Sequence, residues 1–219
     1  GSSHELASVL LTETIQHSLY VVKQPLYVLL LDAQSAFDKI LREICVRAAY
    51  LAGTTGESLL FLDNRLKNRK TYVEWCKTLM GPISDKLGVE QGGINSDRLY
   101  KLANNAELLV TQQSQLGVHL GPIHVASIGQ ADDVALVSSC PFRLQGLLTL
   151  ATEYAASHHI QMVASKTKLL CFAPHGQEDT ARYWEAAMPI LFQGLPIPFS
   201  HEAEHVGVMR STGPLTTPL

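Results

Sequence analysis

The chain has 219 residues, room for one sizeable globular domain or two small ones. Its residues are 46% hydrophobic and 17% charged, with 15 glycines and 10 prolines, which excludes a disordered, collagenous or linker-like polypeptide. A net charge of −3 argues against a nucleic-acid binder whose whole surface is basic.

Leu6 to Leu19 carries apolar residues at helical spacing, and Pro25 then introduces an apolar strand, Leu26 to Leu31, of the kind buried on both faces. Asp32 ends that strand. Ile40, Leu41, Ile44, Cys45, Ala48 and Leu51 form a helical stripe that stops at Gly53, and Ser58 to Lys67 predicts a second helix. Thr71–Trp75 and Ile83–Val89 have strand character, joined by a loop containing Gly81 and Pro82. A long helix is expected over Ser96–Val110, then strands at His124–Ile128 and Val134–Ser138 flanking GQADD. Phe142–Ser157 is helical, Ile160–Val163 and Lys168–Phe172 are short strands, and a loosely patterned tail closes the chain, irregular from 209 to 219. Helices mixed with antiparallel hairpins imply an α+β fold, a sheet covered by helices on one face.

The four cysteines, Cys45, Cys76, Cys140 and Cys171, form no CxxC pair and are expected as free thiols of a reducing, intracellular compartment. No apolar run reaches the ~18 residues of a membrane span, because Lys23, Gln24 and Pro25 break the best candidate, and no signal-peptide pattern opens the chain. No membrane partner is expected.

The aspartates carry the chemistry. Asp32 ends one apolar strand, and Asp132 and Asp133 fall 100 residues later in a turn between two others. Half-buried carboxylates are costly without a positive partner. Brought together by neighbouring strands, these three form an oxygen-rich pocket suited to Mg²⁺. Two such ions activate an attacking hydroxyl and stabilise a leaving pyrophosphate, which is nucleotidyl-transfer chemistry. Strand-end aspartates also cap ordinary turns, so the spacing alone does not decide.

Five ordered segments do. LLLDAQSAFDKI ending at Ile40, GVEQGGINSDRLYKL from Gly88, QADDVALVSS from Gln130, KTKLLCF from Lys166 and HVGV from His205 together resemble the reverse transcriptase of non-LTR, LINE-type retrotransposons. The resemblance covers almost the whole chain and implies the palm of a right-hand polymerase with part of the fingers. It implies that Asp32 and Asp132 hold two Mg²⁺ or Mn²⁺ ions with Asp133 as auxiliary carboxylate, and that the Ala33 carbonyl adds a ligand. Phe37 would pack where a ribose 2′-OH would sit, favouring deoxynucleotides; a core aromatic is its ordinary alternative. Gln91 and Gly92, with Gly93, would contact the nascent base pair, in a stretch that is also a plain strand-to-helix turn. Lys166 would be the general acid for pyrophosphate. Arg65, Lys67, Arg69 and Lys70, followed by Tyr72 and Trp75, would contact the template; cations at a helix C-terminus are the alternative.

The implied activity is RNA-directed DNA polymerisation on an RNA template with a DNA primer and dNTP. Three positions depart from the family pattern: Gln130 stands where an aromatic is usual, Asp97 and Arg98 where a proline is, and no asparagine precedes Lys166. The basic fingertip segment and the thumb are expected to lie outside residues 1–219, which would make this fragment part of a longer polyprotein. A catalytically inactive remnant that still binds nucleic acid is the competing expectation. HEAEH, His201 to His205, matches a zinc-hydrolase pattern, with His201 and His205 as ligands and Glu202 as base, but its prolines and valines suit a strand better than the required helix.

Overall fold

The structure, a computed structural model, describes residues 3–32, 39–84, 87–89, 96–130, 133–177, 183 and 187–212. The chain folds as two units: Gly1–Gln34, Glu107–Ala155 and Met162–Leu219 form the first, Ser35–Ala106 and Ala156–Gln161 the second.

In the first unit, α1 (Ser3–Gln16) runs into a π-helical segment, His17–Val22, that ends at Lys23 in the left-handed conformation. Pro25 then forces extended chain, and β1 (Leu26–Leu31) follows. With β6 (Ser127–Gln130), β7 (Asp133–Ser138) and β8 (Lys168–Phe172), it forms an antiparallel sheet in the order β6-β7-β1-β8. Tyr27 opposes Ser138 and Leu31 opposes Val134 on one side, while Leu26 opposes Phe172 and Leu30 opposes Lys168 on the other. Every residue of β1 is buried. Burial of a large apolar side chain contributes about 1.5–3 kcal/mol, so this strand alone gives on the order of 10 kcal/mol. That is ample to hold a polar residue at its end.

Val28 and Leu30 share a core with Ala7, Leu11 and Ile15 of α1 and with Ala135, Val137, Leu170 and Phe172. Tyr27, Leu29, Leu31 and Leu136, on the alternate positions, are buried too, so the sheet is covered on both faces rather than one. α5 (Pro141–Ser157) carries its own buried stripe of Leu144, Leu147, Leu148, Ala151 and Ala155.

Some expected boundaries move. His124–Ile128 is not one strand: β4 (Val118–Leu120) pairs with β5 (Ile123–Val125), and the chain breaks at Ala126 before β6 joins β7. Ile160–Val163 forms no strand, because its backbone turns to meet the end of β1. The tail is more ordered than expected. β9 (Leu191–Phe192) pairs with β10 (Leu195–Pro196), and β11 (Glu202–His205) pairs with β12 (Val208–Ser211). Residues 209–211 therefore belong to a strand. Arg210 ties this ribbon to α1, donating to Thr12 Oγ1 at 2.6 Å and to Ser8 O and Oγ at 2.9 Å each. Strands of two to four residues are too short to show a period of two in sequence.

The same ribbon overturns the zinc-hydrolase alternative. His205 and Ala203 are buried on one face of β11, while Glu202 and Glu204 are exposed on the other. Strand alternation sends Glu202 away from His205, whereas the zinc pattern needs a helix. Burial, reinforced by Arg210, pushes the His205 imidazole down to about 4 from its ordinary 6.5. A depressed histidine keeps its full stability contribution above pH 6.5 and loses it as pH falls toward 4, by about 3 kcal/mol. His205→Leu is expected to flatten that acid limb of the denaturation midpoint against pH.

The second unit contains α2 (Arg42–Leu51), α3 (Gly56–Lys67) packed against it, and a ribbon of β2 (Lys70–Trp75) and β3 (Thr78–Ser84). The hairpin turn is Cys76–Lys77, whose φ angles of 48° and 63° match a two-residue turn twisted like its strands. Gly81 and Pro82, expected in the loop, lie inside β3 where the register slips between Thr71 and Val73. α4 (Ser96–Gln113) begins in this unit and ends in the first. Among the described residues no helix is long and apolar enough to cross a membrane. Cys45 is a buried thiol and Cys76 an exposed one.

In the first unit α4 buries Glu107 to 2% exposure, with Oε1 lacking a hydrogen-bond partner. Burial pushes its carboxyl up to about 8. A raised carboxyl leaves stability intact below pH 4.5 and erodes it as pH rises through 8. Glu107→Gln is expected to stabilise the fold by about 2–4 kcal/mol above pH 8 and by little near pH 4.5, read from urea midpoints at the two pH values.

Candidate active site

Three of the four expected catalytic residues lie among the described residues, and the sheet order places them on three neighbouring strand ends. β1 stands between β7 and β8. Asp32 follows the last residue of β1, and Asp133 is the first residue of β7. Because Leu31 opposes Val134, continuing the antiparallel register by one residue sets Asp32 across from Asp133. Gln130, at the end of β6, pairs with Asp133, and its side chain is buried to 5% exposure. The hairpin link between them, which contains Asp132, lies outside the described residues.

Lys166 reaches the same place from β8. The Val163 amide donates to the Asp32 carbonyl at 3.1 Å, and the amides of Lys166 and Thr167 close back on the Val163 carbonyl at 3.2 and 3.1 Å. Thr167, 3% exposed, adds a bond from Oγ1 to that same carbonyl at 2.9 Å. This tight turn fixes where the lysine starts. Its ammonium lies 3.1 Å from Asp32 Oδ1 and 3.3 Å from Oδ2. The side chains are 60% and 38% exposed, so solvent screens the pair.

Asp32 and Asp133 present hard oxygen donors on adjacent strands, and a cation, the lysine ammonium, already sits against one of them. That donor chemistry fits Mg²⁺ or Mn²⁺. Among the described residues no group of three or more His, Cys, Asp or Glu gathers to hold a metal, and Asp132 lies outside them. Ala33, Phe37, Gln91 and Gly92 also lie outside the described residues.

The expected template cations are all in the second unit. Arg65 and Lys67 occupy the last turn of α3, where the helix dipole favours positive charge, and Lys70 opens β2. Arg65, Lys67 and Lys70 are exposed and Arg69 is half-buried. Lys67 is engaged by Asp63 at 2.7 Å, one helical turn back. Tyr72 and Trp75 project from the ribbon at 49% and 69% exposure. This unit holds eleven of the chain's lysines and arginines against eight carboxylates, so it is basic within an acidic chain.

One positioning residue escapes sequence reading. Arg42 is 5% exposed, and its guanidinium donates to the Gly88 carbonyl at 2.8 Å, to Leu66 at 3.0 Å and to Leu87 at 2.8 Å. It ties the end of α3 to the segment entering GVEQGG, which is further held by Gly88 N–H donating to the Ile40 carbonyl at 2.8 Å. The signal was spacing: Arg42, Cys45 and Ala49 form the buried stripe of α2, whereas Leu51, expected inside, is exposed.

The four-stranded antiparallel sheet thus carries Asp32 and Asp133 at one end. The particular likeness is to telomerase from Candida tropicalis. The apo enzyme truncated from its C-terminal domain aligns with a TM-score of 0.61 at 12% identity, over 96% of this chain and 39% of that one. The same organism's telomerase in complex with a TWJ fragment of telomeric RNA aligns with a TM-score of 0.58 at 11% identity, over 78% of this chain and 30% of that one. At such identities the likeness shows a shared fold alone, and this chain spans 39% of the first of these chains and 30% of the second. No family model matches the sequence, and no curated protein matches it.

Proposed function

We propose that this chain is the catalytic core of an intracellular RNA-directed DNA polymerase of the non-LTR retrotransposon type, one part of a longer polyprotein. The observation that carries the reading is the meeting of Asp32, Asp133 and Lys166 on three adjacent strand ends. Asp32, Asp132 and Asp133 would hold two Mg²⁺ or Mn²⁺ ions, whose chemistry when bound would be to activate the primer hydroxyl and stabilise a leaving pyrophosphate. In this reading Ala33 would add a carbonyl ligand, Phe37 would disfavour a 2′-hydroxyl, and Gln91 with Gly92 would contact the new base pair. The RNA template and DNA primer are held by backbone charge.

Primer extension with dNTP and Mg²⁺ on an RNA template tests the reading. Extension by the wild type and none by Asp132→Ala supports it; identical behaviour leaves a nucleic-acid-binding remnant. Arg65, Lys67, Arg69 and Lys70 supply phosphate contacts, and Tyr72 and Trp75 stack on unpaired bases. Stacking contributes about 1–3 kcal/mol per base. Trp75→Ala is therefore expected to weaken binding of a single-stranded RNA oligonucleotide by about tenfold in fluorescence anisotropy, with no change in thermal stability.

A further inference from the structure

We infer that Lys166 is the resident cation of Asp32, occupying the carboxylate that a divalent metal needs, so that metal binding and release of the lysine are one coupled event. The inference rests on the proposed metal role of Asp32 and adds a step that precedes any chemistry.

The geometry sets lysine and metal in competition for Asp32 in the observed arrangement. The Lys166 ammonium lies within 3.1 and 3.3 Å of both Asp32 oxygens, so it straddles the carboxylate rather than touching one lone pair. Those same oxygens are the hard donors that a divalent ion takes. A second cation at that distance would face a like charge. Shared oxygens and like-charge repulsion therefore couple metal entry to departure of the ammonium.

Release is easy for physical reasons. Both partners are partly exposed, 60% for the lysine side chain and 38% for the aspartate, and screened pairs of this kind contribute little. The lysine has four carbons of flexible stem. Its backbone, by contrast, is fixed. The Val163–Thr167 turn is anchored on the Asp32 carbonyl and continues into β8, which pairs with β1 at Leu30 and Lys168. The released ammonium thus stays tethered beside the site. In the metal-free state it neutralises a carboxylate that would otherwise face Asp133 across the strand pair, so Lys166 also keeps two like charges apart.

Lys166 is on this account a positioning residue, and its signature is metal affinity rather than turnover alone. Binding of Mn²⁺ to the full chain, without nucleotide or nucleic acid, is measured by electron paramagnetic resonance of the free ion. Lys166→Met is expected to bind Mn²⁺ about fivefold more tightly, the ratio an exposed ion pair near the top of its usual range sets. Lys166→Arg keeps a cation against Asp32 and is expected not to gain affinity. Asp32→Asn removes the tight site in either background. In chain reductively methylated with ¹³C, the dimethyl-lysine signal missing from Lys166→Arg should shift as Mg²⁺ is added, with the midpoint of metal binding.

Unchanged or weaker Mn²⁺ binding by Lys166→Met, or a Lys166 signal indifferent to Mg²⁺, overturns the coupling. The polymerase reading fails separately. Primer extension together with an unaltered Lys166→Met affinity sinks only the coupling, whereas tightening without extension sinks only the polymerase.

Discussion

Asp32→Ala is expected to lower metal-dependent dNTP incorporation by about 10³-fold while leaving the folded state almost unchanged. The size of the loss follows from what a catalytic metal contributes, several kcal/mol of charge stabilisation in the transition state. The small effect on stability follows from how Asp32 is built in. Its side chain is 38% exposed and paired with an exposed lysine, an interaction of about 0–1 kcal/mol. Its structural tie, the Val163 amide on its carbonyl, belongs to the backbone and survives substitution. Single-nucleotide incorporation and a urea melt on the same preparation check both halves. Retained incorporation would remove Asp32 from the chemistry, and a large loss of stability would make it a structural residue.

Arg42→Leu is expected to do the reverse. The substitution leaves the carbonyls of Leu66, Leu87 and Gly88 without their shared donor in a place that water reaches poorly. Breaking a buried, hydrogen-bonded charge typically costs about 3–5 kcal/mol. Arg42→Lys keeps the charge on a single ammonium that does not reproduce a fork over three acceptors, so it should recover only part of the loss. Denaturant unfolding of the two variants beside the wild type gives the comparison. Equal stability of all three proteins would show that the guanidinium is dispensable.

The long helices α4 and α5 were legible because their periodicity survives many residues, and they differ by a few residues at their ends. β1 and β8 fall where the sequence places them because each is a strongly apolar run. Short elements were not. The β4–β5 hairpin and the tail ribbons have two to four residues per strand, too few for alternation to stand out from chance. The β2–β3 turn was misplaced for another reason. Gly and Pro at 81–82 are the stronger turn residues, yet the strands pair through a left-handed Cys76–Lys77 link and absorb Gly81 and Pro82 as a register slip.

By itself, the sequence singled out the candidate residues: three carboxylates and a lysine, each beside an apolar strand. Net charge averages a basic unit with an acidic one. Only the tertiary structure decided who meets whom. Asp32 and Lys166 are 134 residues apart in the chain and 3.1 Å apart in space because β1 pairs with both β7 and β8. Likewise Arg42, charged and apparently surface-bound, is interior because three carbonyls from distant segments converge on it. Strand order and shared acceptors are long-range facts, and no local pattern of residue types encodes them.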